Sequence, residues 1–238
     1  MKKNRQKTKS VSNIKQPPTR NIICKNRLKP KTIHQAGYIR SMAENVMTFC
    51  HGPAGSGKTH IAIGLALEYL LQEKIEKIVI TRPVVEAGEK LGFLPGTAEE
   101  KLNPYLLPLF DEINHFISHA DLSYLKNERK ISVVPLALMR GRSFHNSFIV
   151  ADECQNASYD QLKMLLTRIG HNSKMVLTGD TTQSDLQTFR QGGFIHLMQM
   201  LEGLDQISMI NLECADIIRN PIISSIVDRI KYHEDQQP

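Results

Sequence analysis

From residue 32 onward, short apolar runs alternate with stretches of helical periodicity. Residues 46–50, 78–81, 131–134, 148–151, 175–178 and 207–212 are runs of four to six residues, apolar almost throughout. Runs of that length without polar alternation fit strands covered on both faces. Between them, residues 33–43, 59–72 and 193–203 carry helical patterns, with Ile61, Leu65, Ala66 and Leu70 on related faces of the second. Residues 98–117 also read as a helix, interrupted or kinked by Pro104 and Pro108. Ser158 and Gln161 have the spacing of a capping box, which opens a helix that Gly170 is expected to close. Asn220-Pro221 supplies an N-cap and a first-turn proline for a last helix ending near Lys231. Residues 84–97, with three glycines and Pro95, read as a hairpin or long loop. Strands alternating with helices predict a three-layer α/β domain with a mostly parallel sheet.

Composition narrows this picture. The 238 residues suit one domain with tails, and 41% hydrophobic and 23% charged residues are ordinary for a globular protein. No apolar run reaches the 18 residues of a membrane span, and no apolar stretch follows the basic start as in a secretory signal. Cys24, Cys50, Cys154 and Cys214 match no metal-ligand spacing, so free thiols and a cytoplasmic setting are expected. The net charge of +6 is unevenly distributed: residues 1–31 hold eleven Lys or Arg and no acid, against 19 basic and 24 acidic residues in the remainder. Few apolar side chains in residues 1–31 can offset the entropy of ordering, so that segment is expected to be disordered or loosely attached. Its charge suits a phosphate backbone. The domain is expected over 32–233, with 234–238 a tail.

The turn after the first strand reads Gly52-Pro53-Ala54-Gly55-Ser56-Gly57-Lys58-Thr59, a full G-x-x-x-x-G-K-[ST] match followed by His60. Glycines let backbone N–H groups curl around phosphate oxygens, and the next helix aims its positive end at the same place. Lys58 is then expected on the β- and γ-phosphates and the Thr59 hydroxyl on Mg²⁺. A chance glycine-rich turn is the competing reading. The strand before the motif and the helix after it favour the phosphate loop.

The strand at 148–151 delivers Asp152 and Glu153 to the sheet edge. Asp152 is placed to orient Mg²⁺, and Glu153 to polarise an attacking water. A third buried strand ends in Thr178-Gly179-Asp180-Thr181-Thr182-Gln183. The carboxyl ends of strands face the ligand crevice in such sheets, so Asp180 is expected to order water or the neighbouring loop, and Gln183 to sense the γ-phosphate. Alternatively, Gly179-Asp180 is only a turn. A second cation at the γ-phosphate often comes from another subunit. Arg219 leads the candidates for it, ahead of Arg168 and Arg142.

Together these residues resemble the PhoH-like ATPase family, related to the first RecA-like domain of superfamily-one helicases. The resemblance runs from about Lys31 to His233 and is carried by the phosphate loop and five further stretches. These are Thr81-Arg82-Pro83 through Leu94-Pro95-Gly96, Met139 to Arg142, Asp152 to Asn156, Leu166 to Gly170, and Ser173 to Asp180. Two departures stand out: Cys154 replaces a usual Ala, and Asp216-Ile217-Ile218-Arg219-Asn220 varies the family's Asp-Val-Val-Arg-His. The resemblance implies a single RecA-like domain, ATP with Mg²⁺, and a hexameric ring contacting RNA or single-stranded DNA. It also implies that Gln35 reads adenine, and makes Arg82, Lys90, Arg140 and Arg142 candidates for nucleic-acid contact. An ATPase coupled to nucleic acid is the leading expectation. A nucleotide-dependent scaffold without unwinding is the alternative, and a small-molecule kinase a weaker third.

Overall fold

The computed structural model describes residues 21–84, 98–180, 193–217 and 229. The expected last helix, the glycine-rich 85–97 stretch, residues 1–20 and the tail lie outside them.

Six parallel strands form one sheet: β1 (Met47–His51), β2 (Lys77–Arg82), β3 (Ile131–Pro135), β4 (Ser147–Ala151), β5 (Lys174–Gly179) and β6 (Ile207–Asn211), in the order β3-β2-β4-β5-β1-β6. The helices are α1 (Ile33–Glu44), α2 (Lys58–Leu71), α3 (Ala98–Phe116), α4 (His119–Asn127), α5 (Tyr159–Leu166) and α6 (Gly193–Leu201). The three-layer α/β class expected from the apolar runs is the one observed.

Although the strand interiors are mostly apolar, their side chains still divide by parity between two cores. Ile78, Ile80, Phe148, Val150 and Val176 pack with Tyr38 of α1, Ile61 and Leu67 of α2, and Leu109, Ile113 and Phe116 of α3. Val79, Ile149, Ala151, Met175 and Leu177 face the other way, onto Leu162 and Leu165 of α5 and Phe194 and Leu197 of α6. Chain direction reverses around β1: α2 leads across one face to β2, and α6 leads across the other from β5 to β6. The carboxyl ends of β1 and β5 therefore flank the crevice where such sheets bind ligands.

Four expectations change. Residues 21–31 are not loose: Ile22, Cys24 and Leu28 pack against the first core, Lys25 N donates to Phe116 O at 2.7 Å, and Asn26 Nδ2 to His115 O at 2.7 Å. Three apolar side chains and two long-range hydrogen bonds suffice to pin this part of the basic segment. Pro104 and Pro108 sit inside a continuous α3. Both are exposed and one helical turn apart, so each missing donor is lost on the water-facing side, where solvent replaces it. The capping box at Ser158 and Gln161 forms as expected, but α5 ends at Leu166 with Thr167 as C-cap. Gly170 serves a different need, since a Cβ there would lie 2.5 Å from Phe144 O. Finally, α4 has no counterpart in the expected elements.

Candidate nucleotide site

Between β1 and α2 the chain turns through three glycines at positive φ: Gly52 at 152°, Gly55 at 85° and Gly57 at 90°. An L side chain rarely adopts these angles. At Gly52, space forbids one as well, because a Cβ would stand 2.3 Å from Leu212 O. Gly57 is the N-cap of α2 and offers no side chain to the first-turn N–H groups, which leaves them for an anion.

The loop is braced from both sides. Ser56 Oγ donates to Pro53 O at 2.8 Å. Gln35, 4% exposed, donates from Nε2 to Ser56 O at 3.0 Å while its Oε1 accepts from Lys31 N at 2.8 Å. Both amide atoms of Gln35 thus serve the backbone, as a strut under the loop. Across the crevice, Ala54 N donates to Asp180 Oδ2 at 3.1 Å, so Asp180 orders the loop.

Lys58 folds back over this turn, its Nζ 2.6 Å from Gly52 O and 2.9 Å from Pro53 O. Burial lowers its pKa, and the carboxylates of Asp180, Glu153 and Asp152 together with Cys50 oppose that. Burial also lowers the pKa of His51, helped by the Lys58 charge, so the residue before Gly52 stays neutral at physiological pH. Lys58 thus sits among the carboxylates of Asp180, Glu153 and Asp152. That balance suits an incoming polyanion bringing its own divalent ion.

Thr59 and Asp152 meet where α2 begins and β4 ends: Thr59 Oγ1 donates to Asp152 Oδ1 at 2.5 Å, and Thr178 Oγ1 donates to the same oxygen at 2.7 Å. Asp152 is 5% exposed, with its backbone N–H tied to Thr81 O at 2.8 Å. A hydroxyl and a carboxylate so arranged are the hard oxygen donors that Mg²⁺ takes, with waters and phosphate filling the other positions. No cluster of three or more acids, Cys or His that could hold a metal by itself exists among the described residues.

Glu153 follows in the left-handed region, at φ 55°. Gln155 Nε2 donates to its Oε2 at 2.5 Å, and Arg82 Nη2 lies 3.7 Å from its Oε1. Gln155 is 5% exposed and also accepts Asp180 N at 3.0 Å, joining the ends of β4 and β5. Sequence reasoning misses Gln155, because nothing in the spacing of a three-residue 3-10 turn marks which amide faces inward. His60 is expected near the nucleotide, and its Nδ1 is 2.9 Å from Glu112 Oε2 on α3. That partner lies 52 residues away, beyond the reach of any spacing argument.

These groups border a cavity of about 450 Å³ lined by Lys29, Lys31, Gln35, Gly55, Lys58, Thr59, His60, Glu112 and Glu153, among others. A larger depression of about 660 Å³ lies at the opposite end of the strands, around Glu73–Glu76, Asn146 and Asn172–Lys174. It collects none of the candidate site residues.

The candidate arginines are dispersed. Arg168 is spent on Met164 O, Arg142 O and Thr167 Oγ1. Arg142 lies over the Phe144 ring at 5.1 Å, and Arg140 is exposed. Arg82 is beside Glu153. Arg219, Gln183 and Lys90 are outside the described residues. Beyond β6, Asp216 is 1% exposed and receives Thr32 Oγ1 at 2.5 Å, Glu213 N at 2.7 Å and His34 Nδ1 at 3.0 Å. Burial would raise its pKa, but these hydrogen bonds outweigh it and the pKa is lowered.

A family model described as PhoH-like protein matches residues 27–231. A PhoH-like protein of Synechocystis is 42% identical over 89% of this chain and 64% of its own length. One from Bacillus subtilis is 42% identical over 84% of this chain and 63% of its own. Protein PhoH of Escherichia coli is 34% identical over 79% of this chain and 54% of its own. The chain spans less than two thirds of these relatives. Among solved structures, the UvsW helicase of bacteriophage T4 aligns over 81% of this chain and 64% of its own at TM-score 0.49 and 14% identity. The Pif1 helicase of Candida albicans aligns over 84% of this chain and 43% of its own, at TM-score 0.45 and 15% identity.

Proposed function

The chain belongs to the PhoH-like protein family, and from that premise we propose that it is a Mg²⁺-dependent ATPase whose cycle is coupled to RNA or single-stranded DNA. The observation that carries the reading is that Lys58, Thr59 and Glu153 line one cavity at the carboxyl edge of the sheet, with Asp152 bonded to Thr59 and Asp180 to the loop at Ala54 N.

In this reading the loop residues Gly52 to His60 hold the phosphates through backbone N–H groups, and Gln35 and Asp180 keep the loop in shape. Lys58 leaves the Gly52 and Pro53 carbonyls for the phosphate oxygens, a stronger partner for an ammonium. Thr59 and Asp152 would hold Mg²⁺, which would neutralise charge on the phosphates. Glu153 takes a proton from a water as the water oxygen bonds to the γ-phosphorus. The bond from that phosphorus to the bridging oxygen breaks, releasing ADP and phosphate.

No described arginine lines the cavity. We propose a ring, hexameric by analogy with related motors, in which an arginine of one subunit (Arg219 first) completes the neighbour's site. The basic residues 1–31, with Arg140 and Arg142, supply counter-charge for a nucleic-acid backbone. Cytoplasmic residence fits this assignment.

The test is ATP turnover by the purified protein with Mg²⁺, with and without single-stranded RNA and DNA. Turnover raised by either polymer is expected. Turnover indifferent to both would favour a nucleotide-dependent scaffold instead.

A further inference from the structure

We propose that Arg82 and Glu153 form a latch that holds the water-activating carboxylate back until a phosphodiester group draws Arg82 away. The proposal rests on the ATPase reading above and deepens it, by giving nucleic acid a physical route to the hydrolytic step.

The latch follows from strand register. β2 and β4 are neighbours, with Thr81 opposite Ala151, and Asp152 N extends the ladder one step further to Thr81 O at 2.8 Å. Arg82 and Glu153 therefore rise from adjacent strands over one edge of the sheet. Their contact, Nη2 to Oε1 at 3.7 Å, is long and single, and the side chains are 25% and 37% exposed. The other carboxylate oxygen is taken by Gln155 Nε2 at 2.5 Å. One oxygen of Glu153 thus accepts from Gln155, and the other faces the Arg82 guanidinium at ion-pair distance.

The same residue borders the nucleotide cavity beside Lys58 and Thr59. Its backbone has little room to move. Asp152 is anchored before it, Cys154 is fully buried after it, and Glu153 itself is held at φ 55°. Rotation of the side chain is what remains, from the Arg82 side toward the cavity.

Arg82 has reason to let go. A guanidinium is a planar fork that matches phosphate oxygens two at a time, whereas here it makes one loose contact with a carboxylate. Further cations follow the neighbouring strand in the chain. Arg82 pairs with Pro135 of β3, and the 3-10 turn Leu136–Met139 that follows leads directly to the exposed Arg140 and Arg142. A strand of phosphodiesters crossing the ends of β2 and β3 would meet Arg82, and taking it would free Glu153.

Turnover by wild type, Arg82→Ala and Arg82→Lys is measured with Mg²⁺ at fixed salt, with and without oligo(U) and oligo(dT), and oligonucleotide binding is followed by fluorescence anisotropy. Arg82→Ala should raise basal turnover, by up to about fivefold, the scale of a partly exposed ion pair. Oligonucleotide should then add no further acceleration, although it still binds through the other cations. Arg82→Lys, which keeps the charge without the fork, should fall between. Basal turnover in Arg82→Ala at or below wild type, with an unchanged melting temperature, overturns the latch. If wild type is stimulated and Arg82→Ala is stimulated equally, the latch fails while the coupling to nucleic acid stands. A wild type indifferent to both oligonucleotides contradicts the coupling and the phosphodiester opener together.

Discussion

Thr59 and Asp152, 93 residues apart in sequence, share a hydrogen bond of 2.5 Å that joins the first turn of α2 to the end of β4. Thr178 completes the arrangement from β5, so three elements of the crevice meet at one carboxylate oxygen. Replacing Asp152 by Asn should leave this packing in place but weaken the cation site. Turnover should fall by at least about 10²-fold, the cost of losing one preorganised charge-stabilising group. A Mg²⁺ titration checks the assignment: the variant should need far more Mg²⁺ to reach its residual rate, and an unshifted titration would separate Asp152 from the metal.

Gly52 is expected to tolerate no side chain. Its φ of 152° and the 2.3 Å that would separate an added Cβ from Leu212 O act together. Gly52→Ala should cost roughly 1–3 kcal/mol, the range of a residue forced into a sparsely allowed conformation. Chemical denaturation reads the loss, and nucleotide affinity should drop with it because the loop must shift.

Asp216 links stability to acid. Its folded pKa lies below the ordinary value of 3.8, so its contribution is complete above that value and is lost as pH falls from there through the folded pKa. Denaturation midpoints should therefore hold steady from neutrality down to about pH 5 and decline below about pH 4. Asp216→Asn should be less stable at neutral pH, by about 1–3 kcal/mol for a buried hydrogen-bonding charge lost, and should show a shallower acid decline. A parallel decline in both proteins would assign the acid sensitivity elsewhere.

Much of the candidate site's layout was legible because the phosphate loop, Asp152-Glu153 and Asp180 each follow an apolar strand closely, where spacing alone places them. Partners brought together by the fold were not legible. Gln155 between Glu153 and Asp180, His60 with Glu112, and Asp216 with Thr32 and His34 depend on strand order and helix packing, which no local pattern encodes. Gln35 shows the same limit. Its position before the loop was readable, but its amide turns to Ser56 O and Lys31 N because α1 packs over the loop. Residues 21–31 misled in the other direction, since charge density hid three apolar anchors.

The shared-site reading makes a separate prediction. Lys58→Ala and Arg219→Ala should each be nearly inactive, since an arginine supplied in trans is worth roughly 10³–10⁵ in rate. When the two variants are dissociated and reassembled together, mixed rings contain some intact sites and activity should partly return. No recovery despite demonstrated subunit exchange would remove Arg219 from that role.

The central claim is that this cavity hydrolyses ATP with Glu153 as the water-activating base, and Glu153→Gln tests it most directly. Phosphate release and ATP binding are measured on the same preparation with Mg²⁺. The variant should bind ATP as tightly as wild type while releasing phosphate at least about 10²-fold more slowly, the usual contribution of a positioned general base. Phosphate release at the wild-type rate from Glu153→Gln would contradict the account.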